Sequence, residues 1–327
     1  NWYFSNKTTL TSFSIDQRVK KVNPGCYISV KQKSKVEETK YYSLKSGITK
    51  QNSNEIDIVN NINSKLLASI KKRLIGEVEI GAFLSGGLDS SLIVAILSKL
   101  SNIPIRTYSL IYNEHINEKE NDRKFSNLVS RSFNTRHQEI LLTPDLLSTE
   151  LKNIVKAYGE PNSSVLSNWF VSKEMRKNIK VALSGDGADE LFGSYKTHRL
   201  AKFQDEVLSN DSKLKDFKDF GLSENDIEFK NTFFEIINSN FVFNQKELRL
   251  LLNDKYYIPS LLKDIVKNNL PNNNVSRLDN ILYFDFKTLL PNQILSYIDL
   301  LGMAHSVEIR CPFLDISLVD YVLSIEN

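Results

Sequence analysis

Phe83-Leu84-Ser85-Gly86-Gly87-Leu88-Asp89-Ser90-Ser91 lies between an apolar run, Val78 to Leu84, and a run of helical character ending at Leu100. Two adjacent glycines let the backbone turn sharply and come close to a ligand. The helix start that follows offers N–H donors without intrahelical acceptors and the positive end of a dipole, which suits phosphate. Asp89 falls inside this loop, where a carboxylate facing phosphates repels them unless it holds a cation. The stretch therefore implies a nucleotide pyrophosphate site with Mg²⁺. Five fixed positions, Ser-Gly-Gly-x-Asp-Ser, arise by chance in roughly one chain in two thousand of this length. An ordinary tight turn of small residues needs no Asp there. The competing phosphate loop requires Gly-Lys-Ser/Thr after its second glycine, and no Lys follows here.

Outward from the loop, strand and helix patterns alternate. Strands are expected at 78–84, 105–112, 137–142 and 180–184, and helices at 90–100, 122–133, 144–158 and 163–178. This order predicts an α/β fold with a parallel, doubly wound sheet. Ligands of such sheets bind beyond the carboxyl ends of the strands. The glycine turns after Leu84 and after Leu183 would then open on one edge. The second turn reads Ser184-Gly185-Asp186-Gly187-Ala188-Asp189-Glu190-Leu191-Phe192-Gly193, with three carboxylates within five residues. Like charges that close raise one another's pKa unless a cation or partner intervenes. A calcium loop needs a different spacing, and helix capping by Asp186 explains one carboxylate of the three.

Before the first loop, Asn54 or Ser53 is placed to cap a long helix whose apolar positions run from Ile56 to Leu74. Residues 46–54 read as a linker, and Tyr27–Val30 and Tyr41–Leu44 as two strands. Residues 200–280 read as packed helices. The chain has 327 residues, 41% of them hydrophobic, and a net charge of +3. No basic tract favours nucleic acid, and no apolar stretch is long enough to span a bilayer. Two cysteines far apart in sequence, Cys26 and Cys311, fit a reduced cytoplasmic protein. Asn1 and Asn327 look like cut points, so a fragment is expected.

The first loop resembles the pyrophosphatase-type loop of enzymes that cleave ATP between the α and β phosphates. With the second loop, and with Met303-Ala304-His305-Ser306-Val307-Glu308-Ile309-Arg310-Cys311-Pro312-Phe313-Leu314-Asp315, the resemblance is to glutamine-hydrolysing asparagine synthetase, in its C-terminal synthetase domain. Asn121 to Glu139 and Glu160-Pro161 also resemble that family. The match runs from about residue 55 to 327, and residues 1–45 resemble the last strands of the family's glutaminase domain.

The resemblance implies an adenine-nucleotide alpha-hydrolase type of sheet with added helices. It places Leu84, Ser85, Gly86, Gly87, Asp89, Ser90 and Ser91 in the ATP loop, Leu110 beside the adenine, and Ser184 and Gly185 on the nucleotide. Asp89 and Asp189 match the Mg²⁺ ligands. Asp186 matches the base that deprotonates ammonia, where many relatives carry Glu. Glu190 and Arg310 complete the catalytic set, Glu190 orienting neighbours or capping a helix, Arg310 facing phosphate or pairing with Glu308. His305 and Cys311 read as core residues. Leu300 departs from the family, which places Lys or Arg there; Lys196, Arg199 and Arg310 are alternatives for that charge. The implied reaction is ATP-dependent formation of asparagine from aspartate, with ammonia from glutamine. The glutaminase nucleophile, an N-terminal cysteine in relatives, matches no residue here. Alternatives are amidation of another carboxylate, such as a uronic-acid sugar, and an inactive nucleotide-binding homologue. The expected partners are small molecules and, in a homodimer, a second copy.

Overall fold

The computed structural model describes residues 3, 8–10, 12–16, 18–30, 36–45, 54–112, 120–160, 166–208, 217–220, 222, 243, 245–253, 256–258, 260–271 and 275–326. It divides into two compact units, one of residues 51–188 and 295–327, the other of residues 1–50 and 189–294. Most of the linker expected at 46–54, and Pro161 of the Glu160-Pro161 pair, lie outside the described residues.

The chain begins with an antiparallel hairpin of β1 (Cys26–Val30) and β2 (Val36–Lys40), Cys26 opposite Lys40. The first strand is the expected one. The second lies before Tyr41–Leu44, which is not a strand. The N–H groups of Tyr41 and Tyr42 both donate to the Gly25 carbonyl, at 2.8 and 3.1 Å. That closes the open end of the hairpin and leaves those donors no ladder to join.

Helix α1 (Glu55–Arg73) is capped by Asn54, whose side chain accepts from the Asp57 N–H. Glu55 and Asp57 in its first turn and Lys71, Lys72 and Arg73 in its last complement the helix dipole. The alternation then follows: β3 (Ile80–Phe83), α2 (Leu88–Leu100), β4 (Arg106–Tyr112), α3 (Glu120–Ser132), β5 (Arg136–Leu142), α4 (Pro144–Tyr158), α5 (Ser167–Met175) and β6 (Val181–Leu183). Among the described residues, the other unit carries the helices α7 (Lys196–Leu208), α8 (Gln245–Leu251), α9 (Leu261–Asn268) and α10 (Arg277–Lys287). The short α6 (Ala188–Phe192) precedes them, and α11 (Leu295–Met303), β7 (Glu308–Arg310) and α12 (Ile316–Val322) complete the chain.

The five strands from β3 on form one sheet, order β5-β4-β3-β6-β7, with every neighbouring pair parallel. This is the doubly wound α/β fold the alternation predicts. The chain steps outward from β3 through β4 to β5, then returns to place β6 on the other side of β3. Right-handed crossovers make that reversal change the face on which the connecting helices lie. The crevice between β3 and β6 is therefore the topological switch point. Tyr108, Val171, Met175, Ile179, Ala182 and Val307 form the buried cluster against the sheet. In the other unit Leu200, Ala201, Leu248, Leu262, Ile281 and Phe284 pack the helices together.

Candidate functional site

The first loop leaves β3 at the switch point. Leu84 is fully buried, its N–H bonded to the Tyr108 carbonyl at 2.9 Å and its carbonyl taking the Ser109 hydroxyl. Gly86 has φ +89°, and a Cβ there would run into the Asp122 carbonyl and the Ser126 N–H. So the loop rests on the start of α3, which explains the family-like stretch from Asn121. That helix is fixed to β5 by Arg123, paired with Glu139 at 2.9 Å, and by Asn127, donating to Glu139 at 2.7 Å. Gly87 is the N-cap of α2, which begins two residues earlier than its apolar pattern. Ser90 and Ser91 fold their hydroxyls back onto the Gly87 carbonyl at 3.2 and 2.7 Å. Asp89, half-buried, stands in the first turn of that helix.

The second loop leaves β6 beside it. A Cβ on Gly185 would lie 3.0 Å from the Ser90 nitrogen and 3.1 Å from the Asp89 Cβ. The two glycine loops therefore touch through bare backbone. The third motif seals the same edge: the Ser184 N–H donates to the Arg310 carbonyl at 3.0 Å, and a Cβ on Gly187 would meet Leu314 at 2.5 Å. Asp315 caps α12 and pairs with Lys72 at 3.1 Å, while Ser69 donates to the Pro312 carbonyl at 2.6 Å. Gly185→Val is expected to force the two loops apart and to lower the urea midpoint of unfolding, followed by circular dichroism.

The acidic residues have different surroundings. Asp186, half-buried, accepts from the Ser184 hydroxyl. Asp189, half-buried in α6, accepts from the Ser194 hydroxyl. Glu190 is only 1% exposed; it accepts from the Tyr195 hydroxyl, and burial pushes its pKa up to about 7. Arg310 is held in place by its neighbours: it pairs with Glu308 at 2.8 Å and donates to the carbonyls of Arg73 and Ile75 at 2.6 and 3.3 Å. Of the two expectations for Arg310, the geometry realises the pair with Glu308. Leu110 lies on β4, two residues before the strand ends, and packs against two core clusters. Leu300, 37% exposed, is carried by α11. Among the described residues no three or more His, Cys, Asp or Glu side chains gather as a metal cage. A Mg²⁺ shared with phosphates needs only one or two carboxylates besides phosphate oxygens and water. The hard, half-buried carboxylate of Asp89 at the loop fits that donor set.

His305 is a packing residue. It is 6% exposed, with its ring edge-on to Trp169 at 4.2 Å between centroids. Trp169 in turn donates to Glu150 at 3.1 Å, and Lys173 pairs with Glu150 at 2.6 Å. Burial, then the charges of Arg176 and Lys173, hold the His305 pKa below the usual histidine range. The unfolded chain therefore binds this proton more readily, so the stabilisation is complete above about pH 6.5 and is lost as pH falls below it. Urea midpoints should drop as pH falls below about 6.5, and His305→Gln should flatten part of that drop. Burial also lowers the His137 pKa, so His137 contributes in the same direction. The two cysteines carry no disulfide, and among the described residues no helix is long and apolar enough to cross a membrane.

The fold and its paired loops define a doubly wound α/β protein whose two glycine loops meet at the switch point. The chain belongs to the asparagine synthase family, whose profile matches residues 61–327. It is 26% identical to asparagine synthetase [glutamine-hydrolyzing] 1 of Bacillus subtilis over 324 residues, covering 92% of this chain and 49% of that protein. It is 24% identical to Amidase chry2 of Gibberella zeae over 351 residues, covering 93% of this chain and 51% of that protein. The chain spans about half the length of the curated relatives it matches. Among solved structures, NMN synthetase from Francisella tularensis aligns over 72% of this chain and 93% of its own at 13% identity, with a TM-score of 0.31.

Proposed function

We propose that residues 55–327 form the synthetase part of a glutamine-dependent amide ligase. In this reading aspartate becomes asparagine through β-aspartyl-AMP, with release of AMP and pyrophosphate. Residues 1–45 are the end of a glutaminase domain, and residues 46–54 are the linker. The observation that carries the reading is the backbone contact between Gly185 and the Asp89–Ser90 turn at the switch point. It gives two anion-seeking loops one mouth, the geometry a polyphosphate needs.

The ATP contacts are Leu84, Ser85, Gly86, Gly87, Asp89, Ser90, Ser91, Leu110, Ser184 and Gly185. First-turn N–H groups of α2 face the phosphates, and Leu110 packs by the adenine. Asp89 and Asp189 are each assigned to Mg²⁺, which when bound neutralises charge on the leaving pyrophosphate. The substrate carboxylate attacks the α-phosphorus, and ammonia then attacks the activated carbonyl. Asp186 takes the proton that ammonia loses, its carboxylate oriented by the Ser184 hydroxyl. Glu190 acts through Tyr195, which its carboxylate holds. Arg310 positions the second loop through its carbonyl, which accepts the Ser184 N–H.

Leu300 favours a second reading, amidation of a different carboxylate such as a uronic-acid sugar. An apolar, partly exposed side chain stands where the family resemblance places a cation. Incubation with MgATP, ammonia and either aspartate or a uronate separates the two. Aspartate-dependent pyrophosphate and asparagine are the expected products; pyrophosphate released with the uronate alone would replace the first reading by the second.

A further inference from the structure

The hairpin β1–β2 and helix α10 border a cavity of about 370 Å³, a size typical of small-molecule sites. No residue assigned above to ATP, Mg²⁺ or catalysis lines it. Lys40 and Lys287 both do, and among the described residues neither pairs with a carboxylate. Glu38 shares the Lys40 face of β2, but it is engaged by Asn23, whose N–H and Nδ2 both donate to it at 2.9 Å. Burial, and then the charge of Lys40, hold the Lys287 pKa below the ordinary lysine range. Tyr42, Tyr283 and Phe286 supply ring surface, with the Lys287 Nζ 6.0 Å from the Tyr283 centroid. Two ammonium groups that repel each other beside aromatic walls are favourable only when an anion joins them.

We propose that this cavity binds a small organic anion, a phosphate or carboxylate carried on a flat ring. Lys40 and Lys287 take the anion, and Tyr283 and Phe286 take the ring. The probe is pyridoxal 5′-phosphate, which combines a phosphate, a flat ring and an aldehyde. The unprotonated ε-amine of a lysine adds to the aldehyde carbon and water leaves, giving an imine. Added borohydride then delivers hydride to the imine carbon and solvent protonates the nitrogen, fixing a secondary amine. Peptide mass mapping of the full chain should find saturable labelling at Lys287 or Lys40, at about one per chain, with inorganic phosphate protecting. Even labelling of exposed lysines such as Lys72 and Lys99, indifferent to phosphate, would overturn the proposal. Pyridoxine 5′-phosphate, which has no aldehyde, tests recognition without covalent capture. Its affinity by calorimetry should fall about tenfold or more in the Lys40→Met/Lys287→Met double variant. Equal affinity in that variant, folded by circular dichroism, would equally overturn the proposal.

Discussion

In the proposed reaction, Asp89→Asn is expected to slow pyrophosphate release about 10³-fold, a loss of about 4 kcal/mol of transition-state stabilisation. Asn keeps the shape of Asp but replaces a hard anionic oxygen with a neutral amide, a poor ligand for Mg²⁺. The fold should survive. Asp89 lies in the first turn of α2, where an acid favours the helix dipole by only about 0.3–1 kcal/mol. Its backbone and Cβ, which Gly185 packs against, are unchanged by the substitution. Urea unfolding should therefore shift by about 1 kcal/mol at most. Steady-state release of pyrophosphate, measured over a range of Mg²⁺ concentrations, checks the rate. Wild-type turnover by this variant would remove Asp89 from the metal role. A collapse of the urea midpoint would mean that the residue holds the loop rather than the ion.

The sheet was legible because β3, β4 and β6 are apolar or alternating runs and the edge strand β5 ends in the apolar run Ile140-Leu141-Leu142; buried parallel strands read that way. Strand β7 was not. Glu308-Ile309-Arg310 has one apolar residue in three, and it is a strand only because β6 supplies its partners, Leu183 opposite Arg310. Tyr41–Leu44 failed for the converse reason, a local apolar pattern whose N–H groups are taken by Gly25. Within the site, glycines and acids at fixed spacing announced both loops. Their mutual contact did not show, because nothing in the sequence says that Gly185 lies against Asp89 rather than solvent. The same holds for Arg310, whose partners include carbonyls 237 and 235 residues away. Short-range chemistry is written in residue type, whereas these long-range contacts exist only once the sheet has ordered its strands.

The buried pair of His198 and Asp285 was equally unreadable, since the two stand 87 residues apart. His198→Ala is expected to destabilise the protein by about 3–5 kcal/mol. His198 is fully buried and Asp285 is 2% exposed, with Nε2 2.8 Å from the carboxylate. Both come from the helical unit, His198 on α7 and Asp285 on α10. Removing the imidazole leaves the carboxylate without its hydrogen-bond partner in a site whose burial already pushes its pKa up. Asp285 must then take a proton or stay charged at a large desolvation cost. The penalty should therefore be greatest at neutral pH and shrink as pH falls, because protonation relieves it. Asp285→Asn gives the contrast: it removes the charge with little change in volume, and should cost about 1–3 kcal/mol. Urea denaturation at two pH values decides the matter, with the slope m required to stay constant so that midpoints report stability. Equal penalties for the two variants at every pH would show that packing, and not the charge on Asp285, holds these helices together.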